Sequence, residues 1–163
     1  MIMRAGILTA MAAVAGVAVA ADLNYAEFIP LDAEALAETG LKPAYEELLP
    51  RLKKYVTSPA AVSERIDSDA PSYAVSCLGT EYPIYAKGDQ DESWGRATFA
   101  LFDIVNRQLA KTPYRFFAIN GGNDLGGMFL TPAQAEAAKK SLPRKQDWPY
   151  LPTATKPWYG QYH

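Results

Sequence analysis

Apolar residues recur every three or four positions in four stretches of the chain, and this spacing predicts four helices. The stretches are residues 31–40, 42–56, 93–111 and 131–143. The third stretch is the longest, and Trp94, Leu101 and Val105 share one face of it. We therefore expect this helix to lie at the centre of the hydrophobic core.

Particular residues mark where these helices begin and end. Asp32 precedes the first apolar turn and predicts its start, while Gly40 predicts its end. Pro50 predicts an interruption or a kink in the second helix. Thr131 and Gln134 have the spacing of a capping box and predict the start of the fourth helix.

Short apolar runs bounded by Gly, Pro and polar residues predict four strands, at 72–79, 81–86, 114–119 and 126–131. Pro83 places the second of these at a sheet edge. The stretch 58–72 has no apolar period and predicts a polar connection, with a helical turn at most. The order of elements predicts one small α+β domain with N-terminal helices and antiparallel strands around a central helix. A C-terminal hairpin, a short helix and a proline- and aromatic-rich tail complete it.

A glycine-rich stretch separates the last two predicted strands, and it fits either an anion-binding loop or the bend of a β-hairpin. An anion-binding loop needs a helix directly after its glycines. Here a second apolar run, residues 128–130, comes first, and no Gly-Lys-Ser/Thr follows. The Asn-Gly pair between two apolar runs favours the hairpin. Gly126 and Gly127 further along indicate a bulge or the close approach of another backbone.

A glycine-rich hairpin tip is a suitable place for contact with a partner, because its backbone is accessible. The candidate contact residues in the tip are Asn120, Gly121, Gly122, Asn123 and Asp124.

The C-terminal segment, residues 143–163, is rich in proline and aromatic residues and predicts an extended conformation. Trp and Tyr dominate the energetics of binding surfaces, so the segment is one candidate for partner contact. The alternative is that its rings pack onto the core of the same domain. The candidate residues are Trp148, Tyr150, Trp158 and Tyr159.

The first twenty residues have the pattern of a secretory signal peptide: basic Arg4, an apolar middle and an Ala18-Val19-Ala20 ending. We expect cleavage after residue 20, a mature chain of residues 21–163 in the bacterial periplasm, and no stable membrane insertion afterwards. A retained N-terminal membrane anchor is the alternative, although the run is short and rich in Ala and Gly.

Charge and cysteine content exclude several classes of protein. Loss of Arg4 with the leader leaves 15 Lys and Arg against 18 Asp and Glu, a formal charge of −3. A chain this acidic lacks the basic surface of a nucleic-acid-binding protein. Cys77 is the only cysteine, so no internal disulfide exists. It alternates with Tyr73 and Val75, which predicts a buried position on one strand face.

The residues needed for common catalytic and metal sites are missing from the sequence. His163 is the only histidine and the last residue, which argues against a Ser-His-Asp triad or a His/Cys zinc site. Asp89, Asp91 and Glu92 lack the spacing of a calcium-binding loop, and acidic residues are favoured at a helix start. We predict no catalytic residue, metal ion or cofactor. A pair of carboxylates distant in sequence stays open as an alternative.

Together these observations predict an exported, non-enzymatic binding protein that acts on a protein partner. Periplasmic inhibitors and immunity proteins are the class that fits best. A small-ligand or envelope-assembly factor and a carboxylate-based periplasmic hydrolase are the two alternatives.

Overall fold

The computed structural model describes residues 23–156. The predicted signal peptide, residues 1–20, lies outside the described residues, and so do Trp158 and Tyr159. The part described is a single α+β domain, as predicted, and it contains four α-helices and two three-stranded antiparallel sheets. No helix in this part is long and apolar enough to span a membrane.

The helices are α1 (Ala33–Glu38), α2 (Leu41–Leu52), α3 (Ser93–Gln108) and α4 (Pro132–Ser141). The strands are β1 (Ile29–Pro30), β2 (Ser63–Asp67), β3 (Ser72–Cys77), β4 (Thr80–Tyr85), β5 (Arg115–Ile119) and β6 (Gly126–Leu130). Sheet A has the order β1-β6-β5, and sheet B has the order β2-β3-β4.

Local chemistry explains most helix boundaries. The Asp32 carboxylate accepts a hydrogen bond from the Ala35 N–H at 3.1 Å and starts α1. Gly40 ends α1 and precedes α2 with a φ of 122°, a conformation that favours glycine. The interruption predicted at Pro50 is wrong, because α2 continues to Leu52. Proline is tolerated there since it removes only one hydrogen bond in the last turn.

Sheet B contains one strand that the sequence did not indicate. The connection predicted over 58–72 includes β2, which pairs antiparallel with β3. The exposure of β2 explains the missing signal, because four of its five residues face solvent and carry no apolar alternation. Strands β3 and β4 are joined by a two-residue turn, Leu78-Gly79. Pro83 lies on β4, which is an edge strand, as predicted.

The core lies between α3 and the two sheets, which confirms the central position of this helix. Leu101, Ile104 and Val105 of α3 are fully buried, and Phe102 stacks on Phe116 of β5 at 4.6 Å between ring centroids. Cys77 is 4% exposed and belongs to this core, as predicted. A second, smaller apolar cluster covers the other face of sheet A beneath α4.

Of the two roles predicted for Gly126 and Gly127, the bulge is wrong. The register of β5 and β6 is continuous, so there is no bulge. A Cβ on Gly126 would overlap the Phe28 ring, and one on Gly127 would overlap the Phe116 ring. The two glycines therefore make room for an aromatic ring on each face of the sheet, in addition to the neighbouring backbone of β1.

Candidate functional site

The glycine-rich stretch is the loop of a β-hairpin, as predicted. Strands β5 and β6 pair up to Ile119 opposite Gly126, so the loop comprises residues 120–125. It is longer than a two-residue Asn-Gly turn. Asn120 and Gly122 adopt left-handed backbone conformations, with φ of 57° and 60°, and residues 122–124 form a single 3-10 turn.

The hairpin loop is held against helix α1 by polar contacts. The Asn123 side-chain amide donates to a carboxylate oxygen of Glu34 at 2.7 Å and to one of Asp32 at 3.3 Å. The Leu31 N–H donates to the Leu125 carbonyl at 2.8 Å. The tip is therefore fixed on the body of the domain, although Asn123 and Asp124 remain exposed.

The start of the C-terminal segment packs along the outer edge of β5. Tyr150 exchanges two backbone hydrogen bonds with Ala118, at 2.8 and 3.0 Å, and its hydroxyl donates to the Asn120 carbonyl at 2.6 Å. Its side chain is buried, and the residue is 5% exposed. The Trp148 indole N–H donates to the Leu142 carbonyl at 3.1 Å, and the ring is half-buried. For these two residues the structural role that we considered is the one that the geometry supports.

A side chain of α3 covers another part of the outer edge of β5. The Asn106 amide on α3 accepts from the Phe116 N–H at 2.7 Å and donates to the Phe116 carbonyl at 2.9 Å. It thus imitates the backbone of an adjacent strand. Asn106 and Tyr150 together satisfy the outward-facing backbone groups of β5 at Phe116 and Ala118.

The hairpin loop and the segment after α4 enclose an open cleft of about 550 Å³, which we call the loop cleft. Its apolar floor includes Phe28, Leu31 and Leu125. Its polar rim is formed by the predicted residues Asn120, Asn123 and Asp124, and by Arg144, Gln146 and Asp147.

The rim of the loop cleft is ordered by its own ion pair. The Arg144 guanidinium forms a two-point contact with the Asp147 carboxylate, at 2.7 and 3.0 Å, and this contact raises the pKa of Arg144. Neither residue is among the site residues that the sequence indicated. The only signal was an Arg and an Asp three residues apart in the polar run after Pro143, which is too common a pattern to indicate a site.

The two predicted aromatic residues that the structure describes lie in a different depression. Trp148 and Tyr150 line a groove of about 580 Å³ between α4 and the C-terminal segment, together with Phe117 and Leu151. The structure thus separates the two candidate surfaces into the loop cleft and this more apolar groove. They meet at the hydrogen bond between Tyr150 and Asn120.

Two of the three acidic residues before α3 form ion pairs within the chain. Asp89 receives two hydrogen bonds from the Arg96 guanidinium, at 3.0 and 3.2 Å, and Glu92 pairs with Lys156 at 3.2 Å. Within residues 23–156, no three His, Cys, Asp or Glu side chains are grouped to hold a metal ion. Burial raises the pKa of the Cys77 thiol, which opposes formation of a nucleophilic thiolate.

Comparisons of this chain with protein-family models, with curated proteins and with solved structures give no significant match.

Proposed function

We propose that this chain is an exported, non-enzymatic binding protein of the inhibitor or immunity type, and that it contacts a protein partner through the loop cleft. One observation carries the proposal: two segments far apart in sequence, the hairpin loop and residues 144–147, enclose one cleft. Three of its rim side chains, Asn123, Arg144 and Asp147, are held by hydrogen bonds within the chain before any partner arrives. Such preorganisation reduces the entropy lost on binding.

The shape of the cleft supports a protein partner over a small ligand. The cleft is open to solvent over much of its extent, with a polar rim around an apolar floor. Small-molecule sites usually enclose most of the ligand within predominantly apolar walls. An open cleft of this composition instead suits a protruding loop or side chain of another protein, with apolar contact at the centre and hydrogen bonds at the edge.

The carboxylates beside the cleft also support binding over hydrolysis. Asp147 is bound by Arg144, and Asp32 and Glu34 are bound by Asn123. The Asn123 contacts hold the hairpin loop on helix α1, and the Arg144–Asp147 contact lies within the segment after α4. A carboxylate-based hydrolase needs one carboxyl that gives up or takes up a proton during the reaction. Each of these three carboxylates is instead occupied by a hydrogen-bond donor of the chain itself.

Export to the periplasm rests on the sequence of residues 1–20. The intact mass of the protein purified from its natural host tests it. A mature chain beginning at Ala21 or Asp22 supports export through a cleaved signal peptide. A mass that includes residues 1–20 would show that the leader is a retained anchor.

The binding site is tested by affinity capture from periplasmic extract of the natural host, followed by titration of the captured protein. The test variant is Asn123→Ala with Asp124→Ala, which removes an amide and a carboxylate from the cleft rim. The matched control is Gln90→Ala with Asp91→Ala, which removes the same two groups from an exposed loop outside the cleft. We expect at least a tenfold loss of affinity, about 1.4 kcal/mol, in the test variant alone.

Equal affinities for the two double variants would exclude the loop cleft as the contact surface. The denaturant midpoint of each variant is measured in parallel, so that loss of folding is not mistaken for loss of binding.

A further inference from the structure

Three of the four sheet edges in the described part of the chain are protected against pairing with another strand. Asn106 and Tyr150 occupy the edge of β5. Strand β4 carries Pro83, and Arg96 binds one of its carbonyls at 2.7 Å. Strand β1 is only two residues long and ends in Pro30. Prolines, short strands and covering side chains are the usual means of blocking an edge.

The fourth edge, that of β2, carries none of these protections. Strand β2 has five residues, Ser63–Asp67, with no proline, no glycine and no break in its register with β3. Among residues 23–156, no other strand pairs with its outer side. Ile66 in this strand is 54% exposed, which makes it one of the most exposed large apolar residues described.

The register of sheet B shows which backbone groups of β2 face outward. The two-residue turn makes Cys77 and Thr80 a hydrogen-bonded pair. Alternate residues of an antiparallel ladder direct their N–H and C=O groups to opposite sides. Ser63, Arg65 and Asp67 therefore bond to β3. The N–H and C=O groups of Glu64 and Ile66 point away from the sheet.

The charges of β2 are complementary to an antiparallel copy of the same strand. Arg65 and Asp67 lie on one face, two positions apart, while the Glu64 carboxylate is engaged on the other face by the Lys42 N–H at 2.8 Å. When two copies are paired about Ile66, each Arg65 lies opposite Asp67 of the partner subunit. A pairing centred on Arg65 would instead place two arginines opposite each other. The charge pattern therefore selects one register.

The same register agrees with the direction of the backbone groups. Ile66 faces outward, so two copies of it form a hydrogen-bonded pair that exchanges two N–H···O=C bonds. The Arg65 and Asp67 pairs then occupy the intervening positions, where cross-strand side chains lie closest. Arg65 forms an ion pair with Glu81 at 3.4 Å within the same sheet, and both side chains are well exposed. Such a surface ion pair is weak and easily exchanged.

We propose that β2 pairs antiparallel with β2 of a second copy of this chain, about a twofold axis at Ile66, and joins the two B sheets into one sheet of six strands. This surface is separate from the loop cleft. The paired segment is short, so the dimer is weak and reversible and forms at high protein concentration.

Sedimentation velocity of the mature chain over a concentration series tests the proposal. Wild type is expected to change from monomer to dimer as its concentration rises to about 1 mM. Arg65→Asp places two acidic residues opposite each other and should remain monomeric, and so should Ile66→Pro, which removes the outward N–H. The matched control, Lys87→Asp, makes the same charge change in an exposed loop and should dimerise as wild type does.

A charge exchange tests the register itself. Asp67→Arg alone should be monomeric, but a mixture with Arg65→Asp should form a heterodimer, because every Arg–Asp pair is restored. The Asp67 carboxylate also accepts bonds from the Asp69 and Ala70 N–H groups, so the fold of this variant is checked by circular dichroism. If it does not fold, Arg65→Asp and Ile66→Pro decide the question alone. A monomeric wild type, or a dimer that these two changes leave intact, overturns the proposal.

Discussion

Replacement of Gly127 by Ala is expected to destabilise the domain, because the Phe116 ring occupies the space that the new methyl group needs. A Cβ at this position would lie within 2.8 Å of three atoms of that ring. The ring cannot move aside easily. It is fully buried, stacked on Phe102 at 4.6 Å and in contact with Phe129 at 4.7 Å. Either the ring or the β6 backbone must shift.

The size of the effect follows from two opposing contributions. Overfilling a packed core costs roughly 1–3 kcal/mol, and a blocked ring places this site near the upper end. The loss of glycine stabilises by about 0.4–1 kcal/mol, because the unfolded chain has less freedom. We expect a net loss of about 2 kcal/mol in the free energy of unfolding. This is a large fraction of the stability of a typical domain.

Urea unfolding of four proteins provides the assay: wild type, Gly127→Ala, Phe116→Leu and the double variant. Phe116→Leu removes part of the ring and leaves space for the methyl group. The double variant should therefore be more stable than the sum of the single effects predicts, by about 1 kcal/mol or more. Additive effects, or a loss below about 0.5 kcal/mol for Gly127→Ala, would refute the steric reasoning.

Four further predictions concern other parts of the chain. Cys77→Ser should lower the free energy of unfolding by roughly 1–3 kcal/mol, and thiol reagents should label wild type slowly; fast labelling would place the thiol at an accessible site. Asn106→Ala should cost about 1–3 kcal/mol, because the edge of β5 loses its amide partner, and an unchanged urea midpoint would contradict this. Burial raises the pKa of Tyr73 above the ordinary tyrosine value of 10.0, and it does the same for three other tyrosines. The folded state therefore keeps phenolic protons that the unfolded chain loses. The stabilisation should be complete below about pH 10 and fall at higher pH; urea titrations showing no such fall would contradict it. If Trp158 contacts the partner, Trp158→Ala should weaken partner binding by about 2 kcal/mol or more with little loss of stability; if its ring packs onto the core, the same change should lower the free energy of unfolding by about 3–5 kcal/mol.

Elements with local determinants could be predicted from the sequence. Thr131 and Gln134 form both bonds of the predicted capping box, and Asp32 starts α1 through its own side chain. These interactions join residues three positions apart, so a short stretch of sequence contains all the information. The same holds for the burial of Cys77, which follows from the alternation of its strand.

Strand β2 could not be predicted, because its determinants are distant in sequence. It is held by pairing with β3, and its Glu64 carboxylate accepts hydrogen bonds from the Tyr73 hydroxyl and from the Lys42 N–H at the start of α2. The start of α2 has no capping side chain of its own, since its N-cap is Gly40. The Glu64 carboxylate of β2 therefore supplies the cap that α2 lacks. The sequence of neither segment alone indicates this contact.

The candidate site could be predicted only in part, because it too depends on contacts between segments separated in sequence. The sequence located the hairpin and its exposed polar tip, but it gave no sign that residues 144–147 lie across a cleft from them. It also gave equal weight to an exposed and a buried Tyr150. That choice depends on the free edge of β5, which only the folded sheet defines.

The contacts of the hairpin loop connect the proposed binding surface to two other elements of the fold. Asn123 attaches the loop to α1, and the Tyr150 hydroxyl attaches its first residue, Asn120, to the C-terminal segment. The width of the loop cleft therefore depends on the position of both elements. A change that loosens the C-terminal segment should alter binding at the cleft even when it contacts no partner. The hairpin tip and the start of the tail, which the sequence suggested as separate surfaces, are thus connected by the hydrogen bond between Tyr150 and Asn120.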